Sequence, residues 1–278
     1  PEEMYAAALP NRELAATRLP GQLKLDISAP RPDEPHTVVS IVTDDMPFLV
    51  DSVTALLTAH QLEVHLLVHP RMVVRREPLG ALEQVEAEVE PDDAIDGDIV
   101  ESWIRIEIDP VREAAAREQL HNEVRRVLTD VRDAVEDWPR MRQRALVIAD
   151  ELAAARGSET KLPVPDKDVT DSIELLKWLA HDHFTFLGYR EYLLHGDVLT
   201  AVEGTGLGIL RGTGTPRKLS SMTPEAYQRA LEKRLLVITK ANSRATVHRS
   251  AYLDYIGVKV FDQRGEVIGE RRFLGLFS

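Results

Sequence analysis

The chain has 278 residues, 44% of them hydrophobic and 29% charged, with a net charge of −12. That length suits two domains of roughly 100–200 residues each. Absence of cysteine excludes a disulfide framework, a thiol nucleophile and cysteine-held metals. No apolar run approaches the ~20 residues of a membrane span, so no membrane partner is expected, and the lack of cysteine makes the cytoplasm the expected compartment. The first residue is Pro1 rather than Met, which suggests a missing N-terminus.

Residues 1–20 read as a helical or irregular lead-in. Gln22–Ser28 alternates Leu23, Leu25 and Ile27 with polar residues, the period of a half-buried strand. Pro30, Arg31, Pro32 and Pro35 form a stiff connector. Thr37–Thr43 is a β-branched buried strand, and Asp44-Asp45-Met46-Pro47 turns the chain into a helix whose stripe is Leu49, Val53, Leu56 and Leu57. Asp45 is the expected N-cap, with Pro47 in the first turn. Leu62–Arg76 reads as a long strand interrupted near Pro70.

Glu83, Glu86, Glu88, Glu90, Asp92, Asp93, Asp96, Asp98 and Glu101 follow with no Lys or Arg between them, nine of the twelve excess negative charges. The expectation is a solvated insertion loop. Such a surface repels phosphate, so nucleic acid is not an expected partner. Ile99–Ile108 alternates as a strand. A helix is expected from Val111 to Asp137, and a separate one after it with the stripe Met141, Ala145, Ile148 and Leu152. Strand–helix–strand–strand–helix calls for a split βαβ sandwich, and Gln22–Ser28 is the candidate for its missing edge strand.

Gly157–Asp168 is a linker by composition. A helix at Thr170–Ala180 and strands at Phe184–Leu194, Val198–Val202, Gly208–Arg211, Leu235–Lys240, Ala245–Arg249, Asp254–Phe261 and Val267–Leu276 are expected after it. A short helix, Pro224–Lys233, lies among them. Asp262–Gly265 is a tight hairpin turn. The last residues, Leu276-Phe277-Ser278, lie inside an apolar strand, so truncation is expected.

Several motifs bear on chemistry. The helix start at Thr43–Ser52 could receive an anionic group, although Asp44 and Asp45 partly fill that role. His181-Asp182-His183 lacks the further ligands a zinc site needs, and no metal is expected. His65 and His69 read as interface or core histidines. Gly204-Thr205-Gly206-Leu207-Gly208 and Arg211-Gly212-Thr213-Gly214 fit neither G-x-G-x-x-G nor a P-loop, and read as hairpin turns or a lid. Tyr189, Arg190, Arg244, His248, Arg249, Tyr255, Arg271 and Arg272 suit recognition of a carboxylate, a phosphate or another domain. No hydrolase or metalloprotease motif is present.

Three stretches carry a family resemblance. They are Asp44–Val53 with Glu63–Pro70, Trp178–Tyr192 through Phe184-Thr185-Phe186-Leu187-Gly188-Tyr189, and Asp254–Lys259 with Gly269–Phe277. Together they resemble the N-terminal region of the large bacterial NAD-specific glutamate dehydrogenases. The resemblance implies an α+β chain divided as follows. A lead-in and edge strand (1–34) precede an ACT-like domain, a ferredoxin-like βαββα unit (35–137). A helix and linker (138–168) connect it to a PAS/GAF-like or second ACT-like antiparallel-sheet sensor domain, cut short (169–278). It implies regulation and oligomer assembly here, with NAD and the oxidative deamination of glutamate belonging to the parent enzyme; no catalytic residue or cofactor is expected in this segment.

The expected partners are other domains and subunits of that enzyme, with an amino acid as a possible effector. The effector or interface candidates are Asp44, Asp45, Met46, Pro47, Phe48 and Asp51, then Arg244, His248, Arg249, Arg271 and Arg272. Amino-acid-binding ACT domains carry glycine after the turn proline. Phe48 stands there in this chain, which points to an interface rather than an amino-acid pocket. A stand-alone amino-acid sensor is the alternative reading, and an unrecognised enzyme the third.

Overall fold

A computed structural model describes residues 9–86, 89–157, 162–212 and 222–278. It is mixed α and β, with two antiparallel sheets and a long helix between them in the sequence. By contact the chain divides into two units, Pro1–Thr129 and Asp130–Ser278. Residues 158–161 of the expected linker, 213–214 of the second glycine stretch and Glu88 of the acidic run lie outside the described residues.

In the first unit, β1 (Lys24–Ser28) pairs antiparallel with β2 (Thr37–Asp44), which pairs with β6 (Ile99–Ile108). β1 is thus the expected edge strand. The other side of β6 receives β3 (Val64–Val68) and then β4 (Arg71–Arg76), with β5 (Leu82–Val85) beyond β4. The expected interruption falls at His69-Pro70, because Pro70 has no N–H to give the ladder.

Alternation along β2 and β6 sorts their side chains to two faces. Val39, Ile41, Ile104, Ile106 and Ile108 share one face and are fully buried. The apolar stripes of α1 (Leu49–Ala59) and of the early turns of α2 (Ala114–Arg156) are buried likewise through Leu49, Val53, Leu57, Leu120, Val124 and Val127. The opposite face carries Val42 and Trp103, which cluster with Met72, Val74 and Ala15 of the lead-in.

The structure corrects two expectations in this region. The helices expected on either side of Pro139 are one helix, α2, with Pro139 inside it. An interior proline costs about 3 kcal/mol. Here Met141, Ala145, Ile148, Ala149 and Leu152 beyond it are buried in the second unit's core, and their burial keeps that stretch helical. The acidic stretch is also not one solvated loop. Leu82–Val85 forms β5, and Glu101 lies in β6, fully buried.

In the second unit, α3 (Asp166–Trp178) leads through a π-type turn, Leu179–His183, into β7 (Phe184–His195). The sheet runs β10 (Leu236–Arg244), β11 (Tyr252–Phe261), β12 (Val267–Phe277), β7, β8 (Val198–Ala201), with β9 (Leu207–Gly208) also on β7. One face packs Phe186, Tyr189, Ile256, Val258 and Phe273 against the α2 and α3 residues of the core. Phe273 lies 5.6 Å from Phe186 and 4.8 Å from Tyr189, centroid to centroid. At the β11–β12 turn, the Asp262 carboxylate accepts from Arg264 N and Glu266 N, and Gly265 takes a φ of 75°. The expected strand Ala245–Arg249 is absent. Its backbone bonds locally instead, Ala251 N to Arg249 O at 2.8 Å, and His248 takes a φ of 72°, which a strand cannot accommodate.

Candidate functional site

The turn from Thr43 to Ser52 is built from the end of β2 and the start of α1. The helix begins after Phe48, whose φ is 72°, and no side chain caps it. Asp45, the expected cap, turns away to accept hydrogen bonds from Arg71 Nε and Ser102 Oγ, both at 2.7 Å. Charge pairing with β4 therefore takes precedence over capping. Asp44 accepts from Arg18 Nη2 at 2.7 Å and from Gly21 N at 2.9 Å. Both turn carboxylates are thus engaged by residues of their own unit. Pro47 and Asp51 are exposed, and Met46 is half-buried.

The left-handed backbone at Phe48 is the one glycine adopts freely and an L-residue adopts at a cost of roughly 1–2 kcal/mol. The chain therefore keeps a glycine-like turn while carrying a ring. Phe48→Gly is expected to be more stable than Phe48→Ala by about 1 kcal/mol, the reverse of the usual order near a helix. Both variants lose the ring, so thermal melts of the pair isolate the backbone.

His69 and His65 have polar partners that periodicity did not reveal. Since Ser102 Oγ donates to Asp45, His69 Nε2 donates to Ser102 Oγ at 2.8 Å. Burial lowers the His69 pKa, outweighing the nearby Asp45 charge, and Arg71 adds to the lowering. A histidine with a lowered pKa resists protonation when folded. Its contribution to stability is therefore complete above the unfolded value near 6.5 and is lost as pH falls toward the folded value. His69→Gln should flatten the decline in stability between about pH 7 and 5, measured by urea unfolding of variant and parent. His65 bonds Asp109 at 2.9 Å and stacks on His36 with centroids 4.3 Å apart.

Next to the turn lies a buried charge network. Glu101 accepts from Arg18 Nε (2.9 Å) and Nη2 (2.8 Å), Arg76 Nε (2.6 Å) and Nη2 (2.8 Å), and Trp103 Nε1 (2.9 Å). The side chains of Arg18 and Glu101 are 0% exposed. Burial raises the Glu101 pKa, but bonds from Arg76 and Trp103 and the charge of Arg18 outweigh it, and the net shift is downward. Arg18 and Arg76 also donate to the carbonyls of Gln22, Ala15 and Gly80, which pins the lead-in to the sheet. Composition assigned Glu101 to the acidic run. The signal that could have separated it was its place in the β6 alternation, two residues before Trp103.

In the second unit the candidate arginines do not converge. Arg271 and Arg272 are successive residues of β12 and so point to opposite faces. Arg271 pairs with Glu151 of α2. Arg272 lies over the Tyr192 ring at 4.2 Å and the Tyr255 ring at 4.9 Å, and bonds Glu270 at 3.2 Å. Arg244 lies over Tyr252 at 4.9 Å, and Arg249 donates to Phe277 O at 2.7 Å.

The Gly204–Gly208 stretch is a packed turn. A Cβ on Gly206 would stand 2.3 Å from Leu210 O and 3.0 Å from the Arg190 guanidinium. Gly208 N and Arg211 Nε both donate to Asp137 Oδ2 of α2 at 2.9 Å. The His181 and His183 rings bond the backbone carbonyls of Lys177 and Trp178. Among the described residues no three His, Asp or Glu side chains form a metal set, and no helix is long and apolar enough to cross a membrane.

Residues 1–124 match the family model for the ACT1 domain of glutamate dehydrogenase. The chain is also 35% identical to the NAD-specific glutamate dehydrogenase of Halomonas elongata over 251 residues, 87% of this chain and 15% of that protein. The chain matches an N-terminal region of the NAD-specific glutamate dehydrogenase family. The enzyme of the same name from Pseudomonas aeruginosa is 34% identical across 87% of the chain, and that from Mycobacterium tuberculosis 27% across 89%. The chain spans only about 15% of the length of these glutamate dehydrogenases. The ACT1 match covers the sheet, the Phe48 turn and the Glu101 network.

Proposed function

We propose that this chain is a non-catalytic regulatory and assembly region of an NAD-dependent glutamate dehydrogenase. The parent enzyme would convert L-glutamate, NAD+ and water to 2-oxoglutarate, ammonia and NADH. The observation that carries the reading is the ACT1 match over residues 1–124. Two further features support it. The turn carboxylates Asp44 and Asp45 are spent on Arg18 and Arg71 rather than held open for substrate. In the second unit a single antiparallel sheet is flanked by few helices, the arrangement that suggests a PAS- or GAF-like sensor shape. On this reading the second unit meets other domains or subunits through its arginine–tyrosine clusters.

The test has two arms. The purified chain, given L-glutamate and NAD+, is expected to form no NADH; turnover there would overturn the reading. In the longer enzyme, unfolding the first unit with Glu101→Ala is expected to change assembly or effector response while turnover persists. Loss of turnover with assembly intact would count against a regulatory role.

A further inference from the structure

We propose that the second unit binds a phosphate dianion, free or as a phosphomonoester, at the cross-strand pair Arg190 and Arg272. The pair lies on the sheet face turned away from the core helices. The proposal goes beyond the regulatory role above and depends on no activity of a longer enzyme.

The pairing follows from strand register. Arg272 of β12 lies directly opposite Arg190 of β7, and the next pair along, Phe273 and Tyr189, enters the helix-packed core. Successive side chains alternate between faces, so both arginines leave the sheet on its other face. Like charges directly opposite each other across a ladder are destabilising. Arg272 is offset in part, because it bonds Glu270 at 3.2 Å and lies over the Tyr192 and Tyr255 rings. Glu270 also accepts from the Tyr255 hydroxyl. Among the described residues no carboxylate pairs with Arg190.

Arg190 is enclosed without being satisfied. Its Nε is buried and has no hydrogen-bond partner among the described residues. Its Nη2 makes one long bond, 3.4 Å to Gly212 O. A charge withdrawn from water is costly unless it is paired. The two glycine stretches, which match no nucleotide-binding spacing, come together at this guanidinium. A Cβ on Gly206 would stand 3.0 Å from Arg190 Nε and Nη2, and one on Gly212 3.3 Å from Nη2. Glycine at both positions lets the loop backbone close on the guanidinium, yet supplies it with no counter-charge.

The ligand class follows from what is missing. A guanidinium has five N–H donors, and most of those on Arg190 are uncommitted. Two guanidiniums against the Glu270 carboxylate leave the pair with an excess of positive charge, in a chain whose net charge is −12. A phosphate carries nearly two negative charges and three strong acceptor oxygens, enough to accept from both arginines. A carboxylate brings one charge and two oxygens, which one fork already fills. The absence of a nucleotide-binding spacing points to a single phosphoryl group rather than a dinucleotide.

The experiment is calorimetric titration of the 278-residue chain at about pH 8, where phosphate is dianionic, with inorganic phosphate, glycerol phosphate and malonate in turn. Expected is saturable binding of a phosphate with a Kd below about 1 mM. Malonate, which carries a similar charge on carboxylates, should bind more weakly. Tighter binding of inorganic phosphate identifies free phosphate as the ligand, and tighter binding of glycerol phosphate identifies an ester. In NMR of the isotope-labelled chain, the Arg190 Nε–H resonance should move as that phosphate is added, a readout that needs no variant. Arg190→Gln should weaken binding about ten-fold or more. Arg190→Lys, which keeps the charge but not the fork, should weaken it less. The proposal is overturned if neither phosphate binds saturably, if malonate binds as tightly, if the Arg190 resonance stays in place while phosphate binds, or if Arg190→Gln leaves Kd within about two-fold.

Discussion

Glu101→Ala is expected to destabilise the first unit by about 3–5 kcal/mol, the range seen when one partner of a buried ion pair is removed. Two arginines would be left facing each other in a site where Arg18 is fully buried and Arg76 nearly so, with the Trp103 indole N–H unpaired. Hydrogen exchange resolves the effect by location. Protection should fall in β2, β4 and β6, and persist in β7, β11 and β12. Glu101→Gln keeps the shape and should recover part of the loss through the Trp103 bond. The acid limb is also fixed in sign. Because the folded pKa of Glu101 is depressed, its contribution is present above the unfolded value near 4.3 and is lost as pH falls through the folded value. The alanine variant should lose less stability than the parent across that range. Equal protection of β6 in parent and alanine variant would refute the role given to the network.

Asp137→Ala is expected to cost the second unit about 3 kcal/mol. Asp137 is 1% exposed and accepts from Gly208 N, Arg211 Nε and Arg140 Nη1. Burial raises its pKa, but Arg211 and Gly208 more than compensate, and the carboxylate is held below its usual range. Without it a buried backbone N–H loses its partner, and among the described residues Arg211 keeps Asp133 and Glu136, both more exposed. Exchange should rise first at Leu207–Arg211 and in the facing turn of α2. Asp137→Asn retains one acceptor and should fall between the alanine variant and the parent. If both variants leave exchange at Gly208 unchanged, Asp137 does not fasten the loop.

Much of this architecture was readable from residue spacing. The alternation of Ile99–Ile108 gave β6 to the residue, because one buried face imposes a period of two. Pro70 marked a real break, and Lys24–Ser28 took the edge position that the element order required. The misreadings share one cause, distant partners. Pro139 signals a helix end locally, but buried residues on its far side override it. Asp45 is a good cap in isolation, yet Arg71 lies 26 residues away and claims it. Glu101 looked like the end of a charged loop because its partner, Arg18, is 83 residues distant. For the candidate site, the turn itself was legible, but its left-handed Phe48 backbone was not. Nothing in a one-dimensional pattern reports φ when the residue is not glycine. Arg271 and Arg272 were correctly placed on a strand, but successive positions put them on opposite faces, and Arg249 was assigned to a strand that does not form.

The short strand β1 also acts as a guard against self-association. It covers the outer edge of β2, whose Thr37–Thr43 run, TVVSIVT, is uncharged, free of proline and glycine, and rich in β-branched residues. Segments of that composition stack readily into cross-β assemblies when their edges are open. β1 itself is five residues long and carries Lys24 and Asp26, features that blunt a sheet edge. A protease cut in the proline connector would remove that cover, and Arg18 with it. The shortened chain should therefore precipitate as β-rich aggregate rather than simply lose affinity for a partner.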